Sequence, residues 1–485
     1  MNIWRTVFLL LVSAACLGAC DSEVGETQGE RPNVLLIIVD DLNTDLGAFG
    51  SSRTETPNID RLAQRGVTFM RAYAQYPQCN QSRTSFLTGL YPHQTGVLTL
   101  AEHFRDHVGS VTTLPQHFKD NGYFSARVGK VFHQGVPNEI GHDGLDDPPS
   151  WNVAVNPAGM ESELDASVKT IVPAGEKVKG FGGTLSWLAV PGDGADLTDS
   201  LVTDTAIGLL QDHHPQETGK PFFLAVGYYR PHTPFIAPVE FFSRIARDDI
   251  ELPFVPEDDR DDIPVAALAD RPHQQAMSDE LKREVIQAYL ASVSFVDAQI
   301  GRLTDGLQAL DLGENTIIVF MSDHGYQLGQ HGLWQKGDLF EGSTHTPLII
   351  AAGGFGRPGE RRDDVVELVD VYPTLVAMAG LPMPTTPLSG ENIAQAEEPF
   401  RPALSQARSR ASWTRPELHD QEVMGFSIRT GQFRFTEWND GVAGAELYDH
   451  REDPDEYYNL AGRQTHADIA IGLRQALREA HNRGK

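Results

Sequence analysis

The fourteen residues from Tyr76 to Gly89 place a cysteine, Cys79, and an arginine, Arg83, one helical turn apart. Pro77 cannot continue a helix, so Tyr76 to Gln78 reads as an extended approach, and Ser82 to Leu90 reads as a short helix ended near Gly89 and Pro92. Cys79 then sits at a helix start. Unpaired N–H groups and the positive dipole end favour an anion there, and Arg83 adds a guanidinium on the same face. A thiol in these surroundings reads as an anion-directed nucleophile; the plainer alternative is a buried, inert cysteine.

The other residue types that could do chemistry cluster where apolar runs end. Asn33 to Val39 is a continuous apolar run followed by Asp40-Asp41, and Thr316 to Met321 is another, followed by Ser322-Asp323-His324-Gly325. Two adjacent carboxylates beyond a buried strand repel unless a cation neutralises them, which points to a hard divalent metal. Tyr123 to Val128 reads as a strand ending at Gly129-Lys130 with His133 nearby, and Pro221 to Gly227 as a strand followed by Tyr228-Tyr229-Arg230-Pro231-His232. His331 and Lys336 lie in a glycine-rich loop, and Pro347 to Ala351 is a further strand. The carboxylate group is therefore Asp40, Asp41, Asp323 and His324, and the basic group Arg83, Lys130, His133, Arg230, His232 and Lys336. In a parallel sheet the carboxyl ends of the strands share one edge, so these residues can meet around Cys79.

Helical periodicity supplies the elements that position them. Asn58 to Gln64 reads as a helix capped by Asn58 and stopped by Gly66, Leu114 to Asn121 as one stopped by Gly122, and Asp199 to Gln211 and Asp370 to Ala379 as two more. Ser278 to Leu310 carries apolar residues spaced by threes and fours, a stripe that reads as core. His142 to Gly194 shows little periodicity and reads as long irregular structure. Strands alternating with helices predict an α/β fold, a large mostly parallel sheet flanked by helices, over residues 33–385. After a linker at 386–402, short alternating segments at Met424 to Thr430 and Gln432 to Trp438, Glu446 to Tyr448 and a final helix from His466 to His481 predict a smaller C-terminal α+β domain with an antiparallel sheet over 403–485.

A formal net charge of -28 argues against nucleic acid as a partner and against basic adhesion to anionic membranes. Residues 1–20 read as a lipoprotein signal peptide: an apolar run from Val7 to Leu17, too short to span a bilayer, ends in Leu17-Gly18-Ala19-Cys20, and residues 21–32 as a tether. The expectation is an exported lipoprotein, anchored to the membrane through Cys20 and facing the periplasm or cell surface. Of three cysteines, Cys16 lies in the removed segment and Cys20 at the anchor, which leaves Cys79 alone in the folded body without a disulfide partner.

Several of these blocks, in this order, resemble the type I sulfatases of the alkaline phosphatase superfamily, and most of all the iduronate-2-sulfatase branch: Asn33 to Leu42, Cys79 to Gly89, Gly129-Lys130-Val131-Phe132-His133, Pro221 to His232, Ala291-Ser292-Val293-Ser294 and Ser322 to Gly325. The resemblance implies a sulfuric ester hydrolase acting on a sulfated carbohydrate, with Cys79 oxidised to formylglycine (3-oxoalanine) by a formylglycine-generating or equivalent maturation enzyme. It implies Ca²⁺ held by Asp40, Asp41, Asp323 and His324 with the formylglycine oxygen, although histidine is an unusual Ca²⁺ ligand. It also implies that Arg83 holds these groups in place, that Lys130, His133, His232 and Lys336 contact the sulfate, and that a histidine serves as acid or base. Two positions depart from the family pattern. Gln81 stands where the maturation motif has proline or alanine, and Tyr326 where iduronate-2-sulfatase has tryptophan. The alternative readings are a phosphate or phosphonate ester hydrolase of the same superfamily, and a catalytically silent, sulfated-glycan binding lipoprotein in which Cys79 stays a thiol.

Overall fold

The computed structural model describes residues 31–164, 167–173, 180–395, 401–411 and 422–483. The signal peptide and Cys20 lie outside these residues. Eight strands form the central sheet: β1 (Asn33–Val39), β2 (Val67–Tyr73), β3 (Phe124–Gly129), β4 (Val153–Val155), β5 (Phe222–Tyr228), β6 (Thr316–Ser322), β7 (His345–Ala351) and β8 (Glu360–Glu367). Their spatial order is β8-β2-β7-β6-β1-β5-β3-β4, and every pairing is parallel except the two that β7 makes, with β2 and β6. β1, β5 and β6 are buried along their whole length, as continuous apolar runs in a parallel sheet require.

Register aligns the strand ends. Val39 pairs with Tyr228 on one side and with Ser322 on the other, and Gly129 pairs with Gly227. The last residues of β1, β5 and β6 are therefore level, β3 ends one residue short of them, and Asp40, Lys130, Tyr229 and Asp323 leave the sheet at one edge.

Alternation along β1 feeds two cores. Leu35, Ile37 and Val39 pack with α1 (Pro57–Arg65), α4 (Thr198–Asp212) and α5 (Asp279–Ala309), while Val34, Leu36 and Ile38 pack with α2 (Cys79–Thr88), α3 (Leu114–Asp120) and α6 (Val371–Met378). Each such fully buried aliphatic side chain contributes on the order of 1.5–3 kcal/mol gross. Those contributions hold the edge rigid although it gathers like charges.

C-terminal to this sheet, β9 (Ala403–Arg408), β10 (Met424–Arg429), β11 (Phe433–Trp438) and β12 (Ala445–Asp449) form an antiparallel sheet in that order. α7 (Ala467–His481) covers it through Leu477 and Ala480 against Leu404, Ile428, Phe435 and Leu447. Residues Pro32–Lys485 make one compact unit. Among the described residues no helix is long and apolar enough to cross a membrane.

The structure departs from the sequence expectations in five places. β4 and the strand Ser186–Val190 lie inside the 142–194 stretch expected to be irregular, and β2 and β8 are strands that the sequence reading does not contain. β8 is an edge strand with charged residues at its first five positions, so it carries no apolar run. α2 begins at Cys79 itself and not at Ser82. α1 is not capped by Asn58: its N-cap is Thr56, without a side-chain bond, and Asp297 of α5 accepts the N–H groups of Asn58 (3.1 Å) and Ile59 (2.8 Å). A tertiary carboxylate has taken over the cap. Finally, the stripe on α5 is not purely core, because Tyr289 reaches the strand-end edge.

Candidate active site

Three elements deliver Cys79 and the carboxylates around it. After β1 the chain turns at Asp41, which has a left-handed φ of 64°, and Tyr289 holds that turn by donating to the Asp41 carbonyl (2.9 Å) and accepting the Asn43 N–H (2.9 Å). After β6, Ser322 accepts the Leu42 N–H (3.0 Å) and donates to the His324 carbonyl (2.8 Å), and the Asp323 carboxylate accepts the Asp41 N–H (3.2 Å). Between them enters α2, all ten residues of it buried, with Cys79 in its first turn and Ser82 donating to the Asp323 carbonyl at 2.5 Å.

Arg83 is committed to the protein. Its Nε donates to Asp323 (2.8 Å), its Nη2 to Asp40 (3.2 Å), and its Nη1 to the carbonyls of Val131 (3.0 Å) and Lys130. The guanidinium does not face an anion, as its position on the helix suggested; it braces two carboxylates, which agrees with the holding role that the family resemblance implies. Lys130 Nζ lies 2.5 Å from the second Asp40 oxygen, and Lys336 Nζ contacts Asp41 Oδ1 and lies 3.0 Å from Cys79 Sγ. His324 Nε2 stands 3.5 Å from that sulfur and 3.4 Å from Asp41 Oδ1. The Nδ1 atoms of His324 and His232 are tied to backbone carbonyls, those of Gly325 (2.8 Å) and Thr233 (2.6 Å), so a proton on Nδ1 leaves each Nε2 facing the cluster. His232 Nε2 is 4.0 Å from Asp41 Oδ2.

These surroundings set the acidities. Burial pushes the Cys79 thiol up, but the Lys130 and Lys336 ammoniums and hydrogen bonds with His133 and His232 outweigh it and hold it well below the ordinary thiol range. Burial and Cys79 also act to raise Asp40, yet Lys130, His232 and Arg83 hold its carboxyl below the usual range. For Asp323 burial wins over Arg83 and lifts the group to about 6. Burial lowers His133, which is half-buried and whose Nδ1 has no hydrogen-bond partner.

One atom shows what the cluster lacks. Asp41 Oδ2 is buried without a hydrogen-bond partner, a state that costs about 1–3 kcal/mol for a neutral group and more for a charged one. Ligand atoms of Asp40, Cys79, Asp323 and His324 lie within 4.8 Å of one another, and so do those of Asp40, Asp41, Cys79 and His232. Converging carboxylate oxygens with one left unsatisfied fit a hard divalent cation.

Of the ten candidate residues of the carboxylate and basic groups, nine meet here around Cys79. Arg230 does not: its guanidinium turns away, to the carbonyls of His232 and Pro234. His331 is also elsewhere, hydrogen-bonded to Asp259 (3.0 Å) and stacked on Phe340. Tyr289 is a site residue that the sequence reading assigns to the core; a hydroxyl in an otherwise apolar stripe, which needs a partner when buried, was the available signal. Tyr326 stacks on Tyr289 with centroids 5.2 Å apart. Gln81 is buried, donating to the Leu98 carbonyl (2.8 Å) and to Gln78 (3.1 Å).

Comparison with known proteins places this geometry in a family. The sulfatase family model matches residues 32–381, and a model for the N-sulphoglucosamine sulphohydrolase C-terminal region matches residues 329–483. The chain is 35% identical to mouse iduronate 2-sulfatase over 97% of its own length and 98% of the relative's. Among solved structures, the phosphonate monoester hydrolase of Agrobacterium radiobacter superposes with a TM-score of 0.74 at 22% identity, covering 93% of this chain and 95% of that one. A structure in complex with its substrate D-glucosamine-2-N,6-O-disulfate does so with a TM-score of 0.72 at 21% identity, covering 93% and 98%. At these identities the two structures speak for the fold.

Proposed function

The chain belongs to the sulfatase family and is a sulfuric ester hydrolase, and on that premise we propose that it removes sulfate from a sulfated carbohydrate, as its iduronate 2-sulfatase relatives and the solved glucosamine disulfate complex suggest. The proposal includes formylglycine made from Cys79 by a maturation enzyme, and Ca²⁺ held by Asp40, Asp41, Asp323 and His324. The observation that carries it is the convergence of Cys79 Sγ, the Lys336 ammonium and these carboxylates at one strand edge, with Asp41 Oδ2 unsatisfied.

When present, the formylglycine hydrate supplies the oxygen nucleophile and the cation neutralises charge on the sulfuryl oxygens. The chain's own residues do the rest. Arg83 fixes Asp40 and Asp323 relative to one another, which presets the carboxylate geometry. Lys130 and Lys336 present ammonium groups to the sulfuryl oxygens as the ester S–O bond breaks. His232, with its Nδ1–H held by the Thr233 carbonyl, acts as the imidazolium and passes its second proton from Nε2 to the departing alcohol oxygen, leaving the neutral ring. Burial of Asp40, Asp41, Cys79, Arg83, Lys130, Asp323 and His324 limits the access of bulk water and strengthens their interactions.

We propose further that residues 33–385 carry the chemistry, that 403–485 brace them, and that the mature protein is exported and anchored through Cys20. One experiment reads both modifications: peptide mass analysis of active protein from its native host. The expected result is the formylglycine mass at position 79 and an acylated Cys20 at the mature N-terminus. An unmodified Cys79 in protein that releases sulfate from a glycan would overturn the nucleophile, and faster turnover of aryl phosphate than aryl sulfate would overturn the substrate class.

A further inference from the structure

Beneath His232 lies a second set of buried charges that the chemistry above does not use. Arg230 is fully buried, and its Nη1 donates to the carbonyls of His232 (2.5 Å) and Pro234. The guanidinium thus fills the inside of the five-residue loop, Arg230 to Pro234, that carries His232. Asp199, in the first turn of α4, takes the entry to that loop, one oxygen accepting the Tyr229 N–H (2.8 Å) and the other the Arg230 N–H (2.9 Å). Glu161 spends Oε2 on the N–H and hydroxyl of Thr198, both at 2.8 Å, and turns Oε1 toward Arg230 Nη2 at 3.9 Å.

This arrangement is costly as mere scaffolding. Arg230 Nε and Nη2 and Glu161 Oε1 are buried without hydrogen-bond partners, whereas a methionine of similar length would fill the same space with no polar group to desolvate. What the guanidinium supplies and an apolar chain cannot is a hold on the catalytic histidine's own carbonyl and on that of Pro234, two residues on. On its Nδ1 side the imidazole is anchored to this loop, through the Thr233 carbonyl at 2.6 Å, while Nε2 faces the cluster. A shift of the loop backbone therefore becomes a shift of Nε2.

We infer that Arg230 is a positioning residue: it clamps the His232 loop so that Nε2 is aimed at the departing alcohol oxygen, with Asp199 fixing the loop's entry. The inference rests on the reading of His232 as proton donor. Proton donation matters most when the leaving alcohol is a poor one, so the test compares phenyl sulfate with 4-nitrophenyl sulfate, whose leaving group departs readily unaided. His232→Ala serves as the reference. It is expected to lower kcat on phenyl sulfate about 100-fold or more and on 4-nitrophenyl sulfate by about tenfold or less.

Arg230→Met is expected to show the same discrimination, about 30-fold on phenyl sulfate against about threefold on 4-nitrophenyl sulfate, with KM for both within about threefold. Arg230→Lys, whose single ammonium grips two carbonyls less firmly, keeps the donor and is expected to fold, with a loss of about fivefold on phenyl sulfate alone. Equal losses on the two substrates for His232→Ala would remove the proton-donor reading and the inference with it. Discrimination by His232→Ala together with equal losses, or none, in the Arg230 variants would overturn the inference and leave that reading standing.

Discussion

Two clusters in this protein pair carboxylates with basic side chains, and in only one of the two is a buried carboxylate oxygen left without a hydrogen-bond partner. At the strand edge stand Asp40, Asp41 and Asp323 with His324, Arg83, Lys130 and Lys336. Where the central and antiparallel sheets meet stand Glu341 and Glu456 with His450, Arg429 and Arg434. By proximity alone both could hold a metal, since the ligand atoms of Glu341, His450 and Glu456 also lie within 4.8 Å of one another. Their hydrogen bonding separates them. Glu341 receives Tyr73 on one oxygen (2.8 Å) and Arg429 (3.3 Å) and Arg434 on the other, while Glu456 receives Arg434 (2.5 Å) and His450 (2.8 Å) on one oxygen and the Glu341 N–H (2.7 Å) on the other. Every carboxylate oxygen is taken, and the guanidiniums already are the counter-ions. At the strand edge one oxygen, Asp41 Oδ2, is left over. Of these two, the saturated cluster is a brace and the unsaturated one a site.

The largest test of this contrast is metal removal. Dialysis against a chelator, or Asp323→Asn, is expected to lower kcat/KM about 10³-fold or more, and metal analysis of the native protein should find one divalent ion per chain, lost in Asp323→Asn and retained in Glu456→Gln. A second ion, or loss of the ion on changing Glu456, would erase the distinction.

The next effect belongs to the brace. Glu456→Gln leaves Arg434 short of a buried partner and is expected to cost about 3 kcal/mol in chemical denaturation, with kcat of the folded protein within about threefold. It should also flatten the acid limb. Burial acts to raise Glu456, but Arg434 and His450 hold its carboxyl down to about 2 from an ordinary 4.5. A depressed acid contributes stability that is present above pH 4.5 and is lost as pH falls toward 2, so the variant's stability should change less with pH across that window. An unchanged acid limb would remove the structural role assigned to this pair.

The smallest effect sharpens the boundary between site and core. Tyr289→Phe keeps the packing of α5 and removes the hydroxyl that holds the Asp41 turn, so metal affinity is expected to fall about tenfold with little change in the denaturation midpoint. Titration of metal into the stripped variant reads this directly, and an affinity equal to wild type would return Tyr289 to the core.

Local pattern was enough for part of this. The apolar runs of β1, β5 and β6 need burial on both faces wherever they occur, so the sheet, its parallel character and the residues leaving its carboxyl edge could be read from the chain alone. Glycine at 89 has a φ of 71°, and its place after a short helical segment marked the end of α2 in the same way. β8 could not be read, because an edge strand carries charge where a central one carries leucine, nor could the cap that Asp297 supplies to α1 from a helix far along the chain.

What the amino-acid sequence determined was which residues reach the strand edge, since strand ends and side-chain alternation are local properties of the backbone. What only the tertiary structure decided was how the charges pair there: that Arg83 braces carboxylates and does not face an anion, that Arg230 lies under His232 and not beside it, and that Glu341 and Glu456 are saturated while Asp41 is not. Pairing depends on angstrom-scale distances between side chains brought together from segments hundreds of residues apart, and no spacing along the chain encodes those distances.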